Sequence, residues 1–275
     1  MIILSLGAGV QSSALFLMAL HGELGPIPDA AIFADTQNEP PAVYAWLDKL
    51  EAIGAGRIPI HRVTRGDIAA NTLAMVGLKS KKGTGFPGQP PFFVRNPASD
   101  GTADRDAGSV LWRHCTSDYK ILVIRRETRR LMKESGAKSI TQWIGISQDE
   151  WMRGRDSGVK YITNVYPLLE RRLTRGDCSR WLIANGYPVP PKSSCIICPY
   201  HNNAHWRDMK VNDPLAFAQA VQFDAKIREG KLTGVTGDCY LHRSFIPLSE
   251  VDFSNAEDKG QTVMFANECE GMCGV

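Results

Sequence analysis

Residues 1–20 read MIILSLGAGVQSSALFLMAL, and this stretch decides the fold. The apolar run at residues 1–6 has the length of a short buried strand. A glycine-rich turn follows, and from Ser12 to about His21 the apolar spacing becomes helical. A strand, a glycine turn and a helix in this order bring backbone N–H groups and the positive end of a helix dipole to one point. The turn is either an anion site or only a tight connection, and on its own it leaves both interpretations open.

The composition is that of an ordinary globular protein. Of the 275 residues, 43% are hydrophobic and 22% are charged, and no apolar run approaches the length of a membrane span. The net charge of +3 is too small to argue for or against a polyanionic partner, so a nucleic-acid contact has to be argued from local charge. The first residues resemble a strand more than a signal peptide. We therefore expect a cytoplasmic protein with no membrane partner.

Strand-like and helical patterns alternate along the chain. Strand-like runs occupy residues 1–6, 30–36, 58–64 and 139–147, and helical patterns occupy residues 12–21, 40–54, 67–77, 117–136 and 212–230. The alternation predicts an α/β fold built on a doubly wound, mostly parallel sheet. We expect an α/β domain over residues 1–187 and a Cys-rich C-terminal appendage over residues 188–275 packed on it. Residues 77–110 hold too much glycine, proline and charge for regular structure. They are interpreted as a lid, with Lys79, Lys81, Lys82 and Arg95 closing over an anion, or as disordered.

The second predicted strand ends in Asp35-Thr36. Ligands of open α/β sheets bind outside the carboxyl ends of the strands, where a carboxylate can hold a ribose hydroxyl or a metal. Asp35 is thus a candidate ligand contact, and the alternative is that it caps the following helix.

The layout SLGAGVQSSAL…FADTQNEPPAVYAWL resembles the PP-loop adenine-nucleotide-binding superfamily and, within it, the sulfonucleotide (phosphoadenylylsulfate/adenylylsulfate) reductases. ATP-cleaving members carry SGGxDS, whereas this chain has GAGVQS, similar to the reductases, which tolerate Gln at the Asp position. The resemblance implies a Rossmann-like fold and an adenine-nucleotide substrate. It implies nucleotide contacts at the following positions: Ser5, Gly7, Gly9, Gln11, Ser12, Ser13, Asp35 and Thr36.

Two later blocks extend the resemblance over roughly residues 1 to 200. WIGISQDEWMRGR resembles the family's nucleotide-contacting strand end, which implies roles for Gly145, Glu150 and Arg153, although Ser147 stands where the family has an arginine. VYPLLERRLTRGDCSRWLIANGYPVPP resembles the helix that follows. A solvated surface position is the alternative for Arg153.

Seven cysteines include a CxxC pair, Cys195 and Cys198. Such a turn places two thiolates at metal-binding distance, and a distant Cys or His completes the coordination. The resemblance to adenylylsulfate reductases implies a 4Fe–4S cluster held by Cys115, Cys195 and Cys198, with His114 or a residue such as Cys178 or a tail cysteine as the fourth ligand, beside a substrate-binding Lys120. Zinc on Cys195, Cys198, His201 and His205 is the rival, and a metal-free thiol pair is the third possibility. Cys178 and Cys239 are also interpreted as small core residues.

The tail, NECEGMCGV, resembles the family's C-terminal motif, whose thiolate attacks sulfur. The resemblance implies Cys269 as nucleophile, Cys273 as a resolving thiol, and an external thiol of the thioredoxin type as reductant. Two extra metal ligands or an inert end are the alternatives.

Three functions follow. The first is a thiol-dependent sulfonucleotide reductase in which Lys120 and Arg153 grip the sulfate or phosphate and Cys269 attacks. The second is a PP-loop enzyme that transfers sulfur to nucleic acid with the cluster, favoured by the CxxC pair and by the arginine-rich helix after Cys115. The third is a metal-stabilised nucleotide-binding module without catalysis.

Overall fold

The computed structural model describes residues 1–78, 88–95 and 108–254. Its centre is a five-stranded sheet in which every neighbouring pair is parallel. The strands are β1 (Ile2–Leu6), β2 (Ala30–Asp35), β3 (Ile60–Thr64), β6 (Ile140–Ile144) and β7 (Ile162–Val165). The predicted α/β class with a parallel, doubly wound sheet is confirmed.

Eight α-helices accompany the strands within the described ranges. They are α1 (Val10–Leu20), α2 (Pro41–Gly54), α3 (Ile68–Leu73), α4 (Leu122–Ser135), α5 (Pro167–Glu170), α6 (Arg175–Ala184), α7 (Asn203–Asn212) and α8 (Pro214–Glu229). A π-helix, Thr116–Ile121, runs directly into α4, and a 3₁₀ helix, Gln148–Arg153, follows β6. None of these helices combines the length and the hydropathy that a bilayer crossing needs.

The strand order β3-β2-β1-β6-β7 places the first strand in the middle of the sheet. The chain builds outward from β1 to β3 and then returns to the other side of β1 for β6 and β7. The connection after β1 therefore runs towards β2, and the connection after β6 runs the opposite way, towards β7. The two connections diverge, which opens a crevice at the carboxyl ends of β1 and β6. The glycine turn that follows β1 lies at this crevice.

Alternate residues of each strand point to opposite faces of the sheet, and helices cover both faces. Leu4 and Leu6 of β1 belong to a core cluster with α1, α2 and α6, and Ile3 belongs to a second cluster with Leu131 of α4. The strands thus carry apolar residues on both faces, which explains their nearly continuous hydrophobic runs.

A second, three-stranded sheet is antiparallel, in the order β5-β4-β8. Its strands are β4 (Phe93–Arg95), β5 (Gly108–Val110) and β8 (Asp238–Tyr240). The prediction that residues 77–110 lack regular structure is therefore wrong for β4 and β5. A third core cluster joins residues such as Phe92 with Trp206 and Phe223, so it draws on both sides of the predicted boundary at residue 187.

Candidate functional site

The nucleotide pocket, as we name it, opens at the carboxyl ends of β1, β2 and β6. It is an open cavity of about 970 Å³ that includes its mouth. Its lining brings together most of the residues that the sequence singled out for a nucleotide: Ser5, Gly7, Gly9, Gln11, Ser12, Lys120, Gly145, Glu150 and Arg153. Segments more than 140 residues apart in the chain thus meet at one crevice.

The turn between β1 and α1 is held by its own hydrogen bonds. The Gly7 amide donates to Ser12 Oγ at 3.2 Å, and the Ser12 hydroxyl donates to the Gly9 carbonyl at 3.3 Å. Gly9 is the N-cap residue of α1, so the first amides of the helix face the pocket end of the turn. Ala8 adopts a left-handed φ of 55°, a conformation that costs an alanine about 1 kcal/mol or more. The turn is a fixed feature that presents the positive end of a helix to the pocket.

Gly145, directly after β6, lies against this turn. A Cβ atom at position 145 would stand 2.9 Å from Ser12 Cα and 3.0 Å from Ser12 N. Because both neighbours are backbone atoms, neither can rotate away. Glycine is required here for the close approach of β6 to the start of α1.

The pocket carries more positive than negative charge. Its basic residues are Lys120, Arg153, Arg175 and Lys192, and its acidic residues are Glu39 and Glu150. Such an excess favours an anionic ligand.

Gln11 ties the turn to the opposite wall. Its amide nitrogen donates to Glu150 Oε2 at 3.1 Å, and its carbonyl oxygen accepts from Arg175 Nη1 at 3.4 Å. Glu150 in turn accepts from Arg153 Nη1 at 2.8 Å, which orients that guanidinium in the pocket wall. An amide can donate and accept at once, which a carboxylate at position 11 could not do.

Three residues with predicted nucleotide contacts lie outside this lining. Ser13 lies on the buried side of α1, where its hydroxyl accepts from Trp46 Nε1 at 2.8 Å. Asp35 Oδ1 accepts from the Gln37 amide at 2.7 Å and from the Tyr44 hydroxyl at 2.8 Å. Burial and then the hydrogen bond to Asp35 raise the pKa of Tyr44, so the phenol keeps its proton. This carboxylate organises the turn after β2.

Thr36, the third, faces a separate small cavity of about 400 Å³, which we name the thiol cavity. Cys115, Cys195 and Cys198 all line it. The Thr36 hydroxyl lies 3.1 Å from Cys195 Sγ. Lys120 borders both the thiol cavity and the nucleotide pocket.

The CxxC turn is docked on the segment after β2. The Ile196 amide donates to the Asn38 carbonyl at 2.7 Å, and the Ile197 amide donates to Asn38 Oδ1 at 3.1 Å. Asn38 therefore positions Cys195 and Cys198 beside Thr36. Cys115 comes from the first turn of the π-helix, where it is the N-cap residue.

The thiol cavity offers three thiol donors, from Cys115, Cys195 and Cys198. Across the described residues, no three His, Cys, Asp or Glu side chains are grouped so that they could hold one metal ion. Four ligands around one zinc ion lie about 3.8 Å apart, given a Zn–S distance of about 2.3 Å. A 4Fe–4S cluster is larger, so its thiolates stand further apart around a cavity. Three cysteines on one cavity wall have the donor chemistry of such a cluster.

The other predicted ligands are placed elsewhere. His114 is exposed and borders a different surface pocket, next to Asp118. His201 is buried, and its Nε2 donates to the Cys195 carbonyl at 2.9 Å. Burial lowers the pKa of His205, whose ring packs 4.1 Å from that of His201, to about 4. Cys178 is buried in the first core cluster, and burial raises its pKa to about 12.

Some predictions concern residues that the structure does not describe. Cys269, Cys273, Lys79, Lys81 and Lys82 all lie outside the described residues. Arg95 is described, and it lies in β4 with its guanidinium over the Tyr240 ring.

The sequence reasoning missed Arg175, Lys192 and Ser193 in the nucleotide pocket. Ser193 donates its hydroxyl to the Gly7 carbonyl and so holds the segment before the CxxC turn against the glycine turn. Lys192 and Ser193 stand three and two residues before Cys195 of the CxxC motif, and that position was the available signal. Arg175 begins α6 behind a Thr174–Asp177 capping box, which indicates a helix start but no ligand.

No protein-family model and no curated protein sequence matches the chain. Among solved structures, it is similar to a phosphoadenylyl-sulfate (PAPS) reductase from Candida auris in a phosphate complex, with 16% identity, a TM-score of 0.37, and coverage of 69% of this chain and 74% of the other. It is also similar to the U34-tRNA thiolase NcsA from Methanococcus maripaludis with its [4Fe-4S] cluster, with 12% identity, a TM-score of 0.36, and coverage of 86% and 76%. Sequence identities and TM-scores this low do not assign the activity or the ligand of either protein to this chain.

Proposed function

We propose that the protein is an enzyme that binds an adenine nucleotide in the nucleotide pocket and performs sulfur chemistry on it, as a sulfonucleotide reductase does. The observation that carries this proposal is the position of the α1 N-terminus opposite Lys120 and Arg153 in one cavity. Backbone amides, an ammonium group and a guanidinium are the groups that bind phosphate and sulfate oxygens.

In this proposal each group has a distinct role. The amides at the start of α1 hold a phosphate, while Lys120 and Arg153 neutralise the sulfate end. Glu150 and Gln11 orient Arg153 through the hydrogen bonds described above. The thiolate of Cys269 attacks the sulfur atom, a new S–S bond forms, and the nucleotide leaves with the electron pair of the broken S–O bond on its phosphate oxygen. A second thiol, Cys273 or a thioredoxin-type reductant, then attacks Cys269 Sγ, forms a disulfide and displaces sulfite.

A second candidate is ATP-dependent transfer of sulfur to a nucleic acid, and the thiol cavity favours it. Cys115, Cys195 and Cys198 would hold a 4Fe–4S cluster there, next to Lys120 and within reach of the nucleotide pocket. When bound, a cluster with three protein thiolates supplies one iron that is open to a sulfur-carrying ligand. The chain's own contribution is to place that cavity and the nucleotide pocket on two sides of one lysine.

One experiment separates these functions. Anaerobically purified protein is incubated with adenylylsulfate, phosphoadenylylsulfate or ATP, with and without a nucleic-acid acceptor. Sulfite release supports the reductase, and acceptor-dependent pyrophosphate release supports sulfur transfer. Tight nucleotide binding with neither product leaves a non-catalytic nucleotide-binding module. Cys269→Ser should abolish sulfite release, and full retained activity would rule out that thiol as the nucleophile.

The cluster has its own test. Iron content and visible absorption of the anaerobic protein should fall sharply in Cys115→Ser and Cys195→Ser. Cys178→Ala, a change in the core and outside the thiol cavity, is the matched control and should keep its iron. Stoichiometric zinc without iron would contradict the cluster.

A further inference from the structure

A second cavity adjoins the nucleotide pocket on one face of the sheet. It spans about 1160 Å³ including its mouth, and its walls come from β6, β7, the π-helix, α4 and the segment after the 3₁₀ helix. Lys120 and Arg153 belong to both cavities, so the two are contiguous. Neither the sulfonucleotide resemblance nor the proposed nucleotide contacts use the remaining walls.

Two amide side chains form its floor. Gln142 of β6 and Asn164 of β7 are partners in the parallel register, so they stand side by side on the same face of the sheet. A covered parallel sheet normally carries Val, Ile or Leu at such positions. The Asn164 amide donates to the Arg155 carbonyl at 2.8 Å, which fixes its orientation. Paired amides with donors and acceptors match the hydrogen-bonding edge of a nucleobase.

The cavity is strongly basic. Its lining contains one acidic residue, Asp156, within the described part of the chain. Its cationic residues are Arg113, Lys120, Arg125, Arg153 and Arg155. Arg113 Nη1 is a buried atom that has no hydrogen-bond partner among the described residues. A buried donor without a partner is unfavourable, and a phosphate oxygen would satisfy it with a charge-assisted hydrogen bond.

Exposed aromatic side chains adjoin the lining residues in sequence. Trp112, directly before Arg113, is 83% exposed, and Trp151, two residues before Arg153, is 62% exposed. Large exposed indoles next to arginines are the features on which unpaired bases stack. Neither indole lines the cavity, so a ligand that reached them would have to be longer than one nucleotide.

We propose that the second cavity accepts one unpaired nucleotide of a single-stranded nucleic acid. Its base lies against Gln142 and Asn164, and a phosphate binds Arg113. Flanking bases stack on Trp112 and Trp151. The inference rests on the second of the two proposed functions, for which it names the site of the acceptor.

The test is equilibrium binding of labelled single-stranded RNA and DNA, each of about 10 nucleotides and mixed sequence, to the full anaerobic protein at fixed salt. We expect binding that weakens about 10-fold in both variants, because Trp112→Ala removes a stacking platform and Gln142→Leu removes hydrogen bonds to the base edge. Arg57→Gln is the control, because this exposed arginine between α2 and β3 lies outside the cavity lining. It should change the affinity by less than about 2-fold.

Several results would overturn the inference. One is unchanged affinity in both Gln142→Leu and Trp112→Ala, and another is competition by nucleoside monophosphates as effective as that by the strand. Gln142→Glu, which preserves side-chain size, is included in case Gln142→Leu unfolds, and it should also weaken binding. Adenine-nucleotide affinity is measured on the same samples. A wild-type protein that binds no adenine nucleotide refutes the proposed function. A wild-type protein that binds the adenine nucleotide but no strand refutes only the role of the second cavity.

Discussion

Gly145 lies against the backbone of Ser12, so closely that a Cβ atom at position 145 would stand 2.9 Å from Ser12 Cα. Gly145→Ala must therefore push β6 away from the start of α1. We expect a loss of about 1–3 kcal/mol in the free energy of unfolding, as for overpacked cores, and weaker adenine-nucleotide binding. Urea titration and calorimetric binding measure both. Gly154→Ala is the control, because its new Cβ would have ordinary contacts of 3.4 Å or more. Equal behaviour of the two variants would refute the close-approach argument.

Lys120→Met should weaken the binding of anionic adenine nucleotides. The charge-assisted hydrogen bond that Lys120 would make is worth about 1.5–3 kcal/mol, which corresponds to about 10- to 100-fold in Kd. Lys133→Met removes the same charge from an exposed position on α4 and should leave the Kd nearly unchanged. A Kd that is insensitive to Lys120→Met would place the anion elsewhere.

Asp224 supports the region around β8. This buried carboxylate accepts from the Leu241 and Leu248 amides, each at 2.8 Å, and pairs with Arg228 at 2.7 Å. Asp224→Ala leaves two amides and a guanidinium without their acceptor, and we expect a loss of about 3–5 kcal/mol in unfolding free energy. The exposed Asp208→Ala should cost less than about 0.5 kcal/mol. Urea denaturation of both variants decides the matter, and a similar cost for each would contradict this role.

Three histidines should make the protein sensitive to acid: His201 and His242 are buried, and His205 is partly buried. Burial lowers the pKa of His205 and of His242 to about 4 and that of His201 well below 6.5. The folded state keeps these rings neutral, while the unfolded state binds protons below pH 6.5. Their stabilising contribution is complete above pH 6.5 and is lost as the pH falls towards 4.

The slope of stability against pH then approaches about 4 kcal/mol per pH unit, the limit for three protons. His205→Phe removes one of them and should reduce the limiting slope by about one third. Urea midpoints recorded between pH 7 and pH 5 provide the measurement, and a slope identical to that of the wild type would contradict the prediction.

The hydrophobic pattern predicted the elements that bury continuous apolar runs. The strand-like run at residues 1–6 became Ile2–Leu6, and the helix predicted from Ser12 begins at Val10. The helical pattern predicted over residues 212–230 became α8, which Asp213 caps through the Ala216 amide. In these segments local propensity and burial favour the same structure.

The hydrophobic pattern did not predict the elements whose residues face a cavity or the side chains that distant packing brings to the site. β7 was missed because its central residues are polar, and one of them, Asn164, faces the second cavity. The π-helix at Thr116–Ile121 was missed because one extra residue per turn hardly alters helical spacing. Arg175 reaches the pocket only through the packing of α6, which no local signal encodes.

Lys120 borders three cavities at once: the nucleotide pocket, the thiol cavity and the second cavity. One ammonium group cannot compensate several anions fully, so molecules that occupy neighbouring compartments compete for the same positive charge. Thermodynamic reciprocity then requires that whichever arrives first weakens the other by an equal factor. Under the proposed function, saturation with one anionic substrate would therefore weaken the binding of its companion, and the chambers would fill and empty in sequence.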